Sequence, residues 1–282
     1  MPKSKRIRIT AHAKVNLALH VVGQRANGYH ELQSLVCLTE FGDQIQLSPE
    51  IDFTFKVTGP YSLGIPLDDS NLVVQAAKFM AQKHSRSLDC KIVLEKNLPI
   101  ASGIGGGSSD AAAVVKALSQ YWCVPVPNAD ELMAMGADIP VCMTTGLTLM
   151  EGAGEKIMHL SDAPNWGLLL INPNVGVSTP AVFNALSNKN NPPMHNVIEK
   201  CVDVAWLWHQ RNDLELPSMA IVPEVSAVID VLSSTPHCQV ARMSGSGATC
   251  FGIFTSIAEA NTAAESIQYA HPNWWVVATK LI

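Results

Sequence analysis

The chain has 282 residues, 48 % of them hydrophobic and 15 % charged, with a formal net charge of -5 and a pI near 6.0. That length and apolar content suit one large core or two moderate ones and exclude a disordered chain. The acidic balance offers no broad basic surface to nucleic acid or an anionic membrane, so a small-molecule partner is expected.

The first sixty residues alternate or cluster β-formers between turn residues, which predicts strands over 7–19, 34–41, 44–47 and 52–57. The period then changes. Leu72, Val73, Ala76, Ala77, Phe79 and Met80 fall on one helical face and predict a helix over 71–83, followed by a short buried strand at 90–94. Beyond it lies Pro99-Ile100-Ala101-Ser102-Gly103-Ile104-Gly105-Gly106-Gly107-Ser108-Ser109, and then an alanine-rich run that predicts a helix capped by Ser108 or Ser109, with Asp110 favouring its dipole. A short helix over 130–135 ends at Gly136, and Pro140 stiffens the turn that carries Asp138. Strands at 147–150 and 155–159 precede a domain boundary near residue 160.

The second half reads as a strand (167–171), helices (179–186, 197–208, 223–232), two strands (239–243, 248–254), a helix (258–269) and a last strand (274–279). That order matches a split βαβ module with an enlarged first helical section. The seven scattered cysteines form no CxxC pair, and no His cluster has metal-ligand spacing. With no apolar run of signal-peptide or membrane-span length, reduced thiols in a cytoplasmic protein are expected.

Four glycines among positions 103–107 let backbone approach a ligand closely and turn several N–H groups inward. A helix start adds partial positive charge, so the segment has the two features of an anion site. It lacks the lysine of a Walker A loop. Residue 108 is Ser where a dinucleotide fingerprint needs glycine.

Together with Ala13-Lys14-Val15-Asn16-Leu17 and Met243-Ser-Gly-Ser-Gly-Ala-Thr249, this loop resembles the signature of the GHMP kinase superfamily. The resemblance runs from about Thr10 to Phe254. It implies a two-domain α+β fold: a ribosomal-protein-S5-domain-2-like domain over 1–160 and a ferredoxin-like domain over 161–282. Gly23-Gln-Arg-Ala-Asn-Gly-Tyr-His30, Gly136-Ala-Asp-Ile-Pro140 and Glu151-Gly-Ala-Gly-Glu155 narrow it to the branch serving the non-mevalonate isoprenoid route, whose substrate is a small alcohol bearing cytidine diphosphate. A kinase for another alcohol, of homoserine or mevalonate type, and a catalytically silent nucleotide-binding regulator are the alternatives. The stretch from Ser109 to Asp138 is shorter than is usual in the family.

The resemblance further implies ATP as phosphoryl donor with accompanying Mg²⁺, whose ligands no motif identifies, and a monomer or homodimer without nucleic-acid or membrane partner. It makes Asp138 the catalytic base and Lys14 its cationic partner. Residues Pro99 to Ser109, with Lys96 ahead of them, hold the nucleotide. Tyr29 stacks on the cytosine, His30 bonds its edge and Phe183 forms the opposite wall. Asn16, Gly245, Ser246 and Gly247 complete the substrate site.

Overall fold

The computed structural model describes residues 6–195, 197 and 202–282. Two compact units emerge, each assembled from separate stretches of chain. The first comprises 1–13, 41–98 and 105–143, and the second 14–40, 99–104 and 144–282.

Two long strands, β1 (Ile7–Gln24) and β2 (His30–Pro49), contribute to both units. In the first unit, β2 pairs antiparallel with β4 (Cys90–Glu95), and β3 (Thr54–Thr58) lies parallel to β4. Cys90, Ile92 and Leu94 are buried while the intervening residues are half-exposed, the alternation of a one-sided strand. The predicted break near Gly42 is absent. A Cβ there would lie 2.1 Å from the Ala11 carbonyl oxygen, so glycine serves close approach to β1 and the strand runs on.

Helix α1 (Leu72–Lys83) starts where expected, with the Asn71 side chain accepting from the Val73 amide at 2.8 Å. It packs along α2 (Gly106–Trp122), which begins earlier than the sequence predicts. Gly105 takes the cap position at φ +67°, placing Ser108 and Ser109 inside the first turn, and neither serine is the cap. Helix α3 (Ala129–Met133) is closed by a capping box between Asn128 and Glu131. The Gly136 amide then donates to Leu132 and Met133, and a 3-10 turn spans Val141–Met143.

In the second unit, β2 also pairs with β5 (Leu147–Gly152), which pairs with β6 (Lys156–Ser161). The rest is built on β7 (Gly167–Asn172), every residue of which is buried. Helices α4 (Thr179–Asn184), α5 (Val204–Trp208), α6 (Glu215–Ile221) and α7 (Glu224–Ser234) follow, then β8 (Val240–Met243), β9 (Cys250–Phe254), α8 (Ile257–Ala270) and β10 (Trp275–Lys280). The antiparallel order β10-β7-β9-β8, with α7 and α8 packed on it, is that of a ferredoxin-like module. Leu169, Ile171, Val225, Val228, Phe254 and Ile267 anchor its core.

Helix α6 is unforeseen; its Pro217 occupies the first turn, where a missing N–H costs nothing. The helix predicted from residue 197 begins, where described, only at Val204, with Asp203 as its cap; residues 196 and 198–201, including Cys201, lie outside the described residues. The other six cysteines are free thiols.

Candidate active site

β1 carries Lys14 and Asn16 into the second unit as alternate residues on one strand face. Both are buried, and the Lys14 ammonium donates to Asn16 Oδ1 at 3.0 Å. The Asn16 side-chain amide is held by Ser34 Oγ at 2.7 Å, and that hydroxyl donates onward to the Ala18 carbonyl. Asn16 can therefore present its oxygen only toward the lysine.

The glycine segment lies against this strand through backbone. The Lys14 amide donates to the Ile104 carbonyl at 2.9 Å, and Ser102 Oγ donates to the Pro99 carbonyl at 2.7 Å. Ile100 is exposed, while Ala101 at φ +50° accepts from the Val177 amide. A Cβ on Gly103 would sit 2.4 Å from the Ser244 carbonyl oxygen, and one on Gly245 would sit 2.7 Å from the Gly103 carbonyl oxygen. Two glycine-rich loops thus touch backbone to backbone.

The second loop, 244–249, joins β8 to β9 and is more than a hairpin turn. Ser244 Oγ accepts from the Asn16 amide and donates to the Gly103 carbonyl, each at 3.0 Å. The Thr249 amide donates to the Ser102 carbonyl. Asn212 Nδ2 donates to the carbonyls of Met243 and Gly245, Thr179 and Ser246 share a 2.7 Å hydroxyl contact, and Ser218 Oγ donates to the Ser246 carbonyl. Gly247 approaches Ser218 and Met243. Asn212 and Ser218 escape the sequence reading as supports of the site, whereas Ser244 lies within the motif at 243–249.

Tyr29 and His30 end the turn between β1 and β2, where the Tyr29 amide donates to Asn27 Oδ1 and the Arg25 amide to the Tyr29 carbonyl. Tyr29 is 65 % exposed, so its ring face is free to stack. His30 stacks on Phe183 of α4 with ring centroids 4.7 Å apart, too close to admit a base between those two rings. Burial and nearby Lys189 hold the imidazole below its usual pKa, and Nε2 is buried without a partner. The turn is braced by Arg25, which pairs with Glu31 and with Glu155 of the 151–155 motif.

In the first unit, Gly105 to Ser109 open α2. Helix geometry leaves the amides of Gly106, Gly107 and Ser108 without an acceptor inside the helix, while the Ser109 amide bonds Gly105. Ser109 Oγ contacts Cys142 Sγ at 3.3 Å. Lys96 is buried with its ammonium between Asp43 and Asp110, so the carboxylate expected to serve the helix dipole is instead an ion-pair partner. Asp138 lies after α3, its carbonyl accepting from the Cys142 amide at 3.3 Å.

Two family models match the chain, the GHMP kinases N terminal domain over 71–148 and the GHMP kinases C terminal over 203–273. A curated 4-diphosphocytidyl-2-C-methyl-D-erythritol kinase of Cereibacter sphaeroides is 45 % identical over 280 residues, covering 96 % of this chain and 98 % of that protein. The chain belongs to this family of GHMP kinases. The family member of Paracoccus denitrificans is 44 % identical over 278 residues, covering 97 % of this chain and 96 % of its own. A crystal structure of 4-(cytidine 5'-diphospho)-2C-methyl-D-erythritol kinase superposes with a TM-score of 0.79 at 29 % identity, covering 97 % and 99 % of the two chains. A homoserine kinase from Cytophaga hutchinsonii, at TM-score 0.72 and 15 % identity over 100 % of this chain and 96 % of its own, shares the fold. The family is one of ATP-dependent kinases with the two-domain α+β fold expected from the sequence. No helix among the described residues is long and apolar enough to cross a membrane.

Proposed function

We propose that the chain transfers the γ-phosphoryl group of ATP to the 2-hydroxyl of 4-diphosphocytidyl-2-C-methyl-D-erythritol. The alcohol oxygen bonds to phosphorus as the bond to the bridging oxygen of ADP breaks, and Asp138 accepts the hydroxyl proton. Lys14, oriented by Asn16, offsets negative charge on the phosphoryl in flight. Residues Pro99 to Ser109 take the nucleotide phosphates on backbone amides, and Lys96 acts from beneath the helix start. ATP enters as its Mg²⁺ complex, the cation carried on the phosphate oxygens.

Tyr29 stacks on the cytosine and neutral His30 bonds its polar edge, with Phe183 backing the imidazole. Gly245, Ser246 and Gly247 close on the substrate. In this reading 1–160 supplies the ATP loop and catalytic residues, 161–282 completes the substrate site, and the protein acts in the cytoplasm as a monomer or homodimer.

The observation that carries the reading is the full-length likeness to this kinase family, and the bonded set of Lys14, Asn16, the glycine segment and the 244–249 loop supports it. ADP release should be measured with the cytidine-bearing alcohol, homoserine and mevalonate in parallel. Turnover of the first alone is expected; preference for an alcohol without cytidine would overturn the proposal.

A further inference from the structure

Beneath the first turn of α2, one ammonium is buried with two carboxyl groups. Lys96 donates to Asp43 and, at 2.7 Å, to Asp110 Oδ2. A Cβ on Gly106 would lie 3.0 Å from Lys96 Nζ and 3.9 Å from Asp43 Oδ2, so the cluster sits directly against the helix start. With both acids ionised it would carry net negative charge where the nucleotide phosphates are to be held.

The two acids are not equivalent. Asp43 Oδ1 accepts from the amides of Asn97 at 2.5 Å and Leu98 at 2.8 Å, and its other oxygen accepts from Lys96. Both Asp43 oxygens are therefore hydrogen-bonded. Asp110 has the lysine on one oxygen, while its Oδ1 is buried with no partner at all. An ionised carboxylate would leave that oxygen uncompensated in the interior.

Among the described residues, Lys96 is the cation that pairs with these two acids. β2 contributes Asp43, and the chain after β4 contributes Lys96. α1 buries Val73, Val74, Ala76, Ala77 and Met80, while its Lys78 and Lys83 pair with Asp69 and Glu131. The 3-10 turn brings Cys142, whose carbonyl engages Lys116 of α2 itself.

We propose that Asp110 is a positioning residue that keeps its proton when nucleotide is bound, neutralising the Asp43–Lys96–Asp110 cluster so that the helix start receives phosphate without a buried opposing charge. Burial raises the Asp110 carboxyl to about 8, with Lys96 opposing and Asp43 adding to the shift, so the proton is lost within an accessible range. Losing it charges the cluster and repels the phosphates, and bound phosphate in turn favours the proton.

This rests on the nucleotide reading of the loop and is independent of which alcohol is phosphorylated. Calorimetry with a non-hydrolysable ATP analogue at saturating Mg²⁺, from pH 7 to 9 and in buffers of different ionisation enthalpy, tests it. Wild type should bind about 3- to 10-fold more weakly at pH 9 than at pH 7 and take up a fraction of a proton near pH 8. Asp110→Asn should bind at both pH values as wild type does at pH 7, with that uptake removed. Asp43→Asn, which lets Asp110 ionise against Lys96 alone, should also flatten the slope, giving a second reading if the first variant folds poorly. A wild type with no slope and no uptake, or an Asp110→Asn protein that keeps the slope or binds several-fold more weakly at pH 7, overturns the proposal. Absence of analogue binding at any pH would sink the nucleotide reading and this inference with it.

Discussion

The backbone amide of Asn16 donates to the hydroxyl of Ser244, 228 positions further along the chain, at 3.0 Å. The same hydroxyl donates to the Gly103 carbonyl, so one buried oxygen ties the lysine-bearing strand to both glycine-rich loops of its unit. Ser244→Ala strands a buried donor and a half-buried acceptor. It is expected to cost about 1–3 kcal/mol of stability, read as a lower urea midpoint, and to reduce kcat because Asn16 no longer fixes Lys14.

Asp138→Asn retains the shape of the turn and removes the proton acceptor. The expected result is a kcat lower by about 10²-fold or more with nucleotide affinity largely kept. Single-turnover kinetics beside analogue binding separates the two quantities. Unchanged turnover would remove Asp138 from the chemistry.

Tyr29 exposes its ring and contributes little to the core, so Tyr29→Ala should leave the melting temperature close to that of wild type. Stacking of a base on an aromatic ring contributes about 1–3 kcal/mol, so KM for the cytidine-bearing alcohol should rise about 10-fold or more while KM for ATP stays level. Phe183→Ala should act on the same KM through His30, whose ring would lose its backing.

His20 gives the fold a specific acid sensitivity. Burial, reinforced by the charges of Arg211 and Arg242 and opposed by Asp213, lowers its pKa from 6.5 to about 4, and its Nδ1 is buried without a partner. Below pH 6.5 the unfolded chain binds a proton that the folded chain refuses. The contribution of neutral His20 is therefore complete above pH 6.5 and is lost as pH falls toward 4, amounting to a few kcal/mol at most, by roughly 1.4 kcal/mol per pH unit. Urea titrations at pH 7.5, 5.5 and 4.5 should show this slope, and His20→Asn should reduce it.

Local chemistry explains what could be read ahead of the structure. The apolar face of Leu72, Val73, Ala76, Ala77 and Met80 announces α1, the short apolar run after it announces β4, and the order of elements announces the ferredoxin-like module. What stayed hidden depends on contacts far away in sequence. Gly42 reads as a break until Ala11 is found against it. The cap of α2 lies on Gly105 although serines follow, because that glycine adopts a left-handed conformation. Asn212 and Ser218 brace the second loop from positions that no local spacing connects to it.

A side chain on Gly245 would meet the Gly103 carbonyl, and one on Gly103 would meet the main chain of Ser244 and Gly247. The obstacle in both directions is main chain, which no change of neighbouring side chain can trim. A methyl group at either place therefore has no compensating partner elsewhere in the sequence, and selection for activity should find reversion easier than second-site rescue. The two loops form a single fitted joint, and variation in this chain has to flow around it.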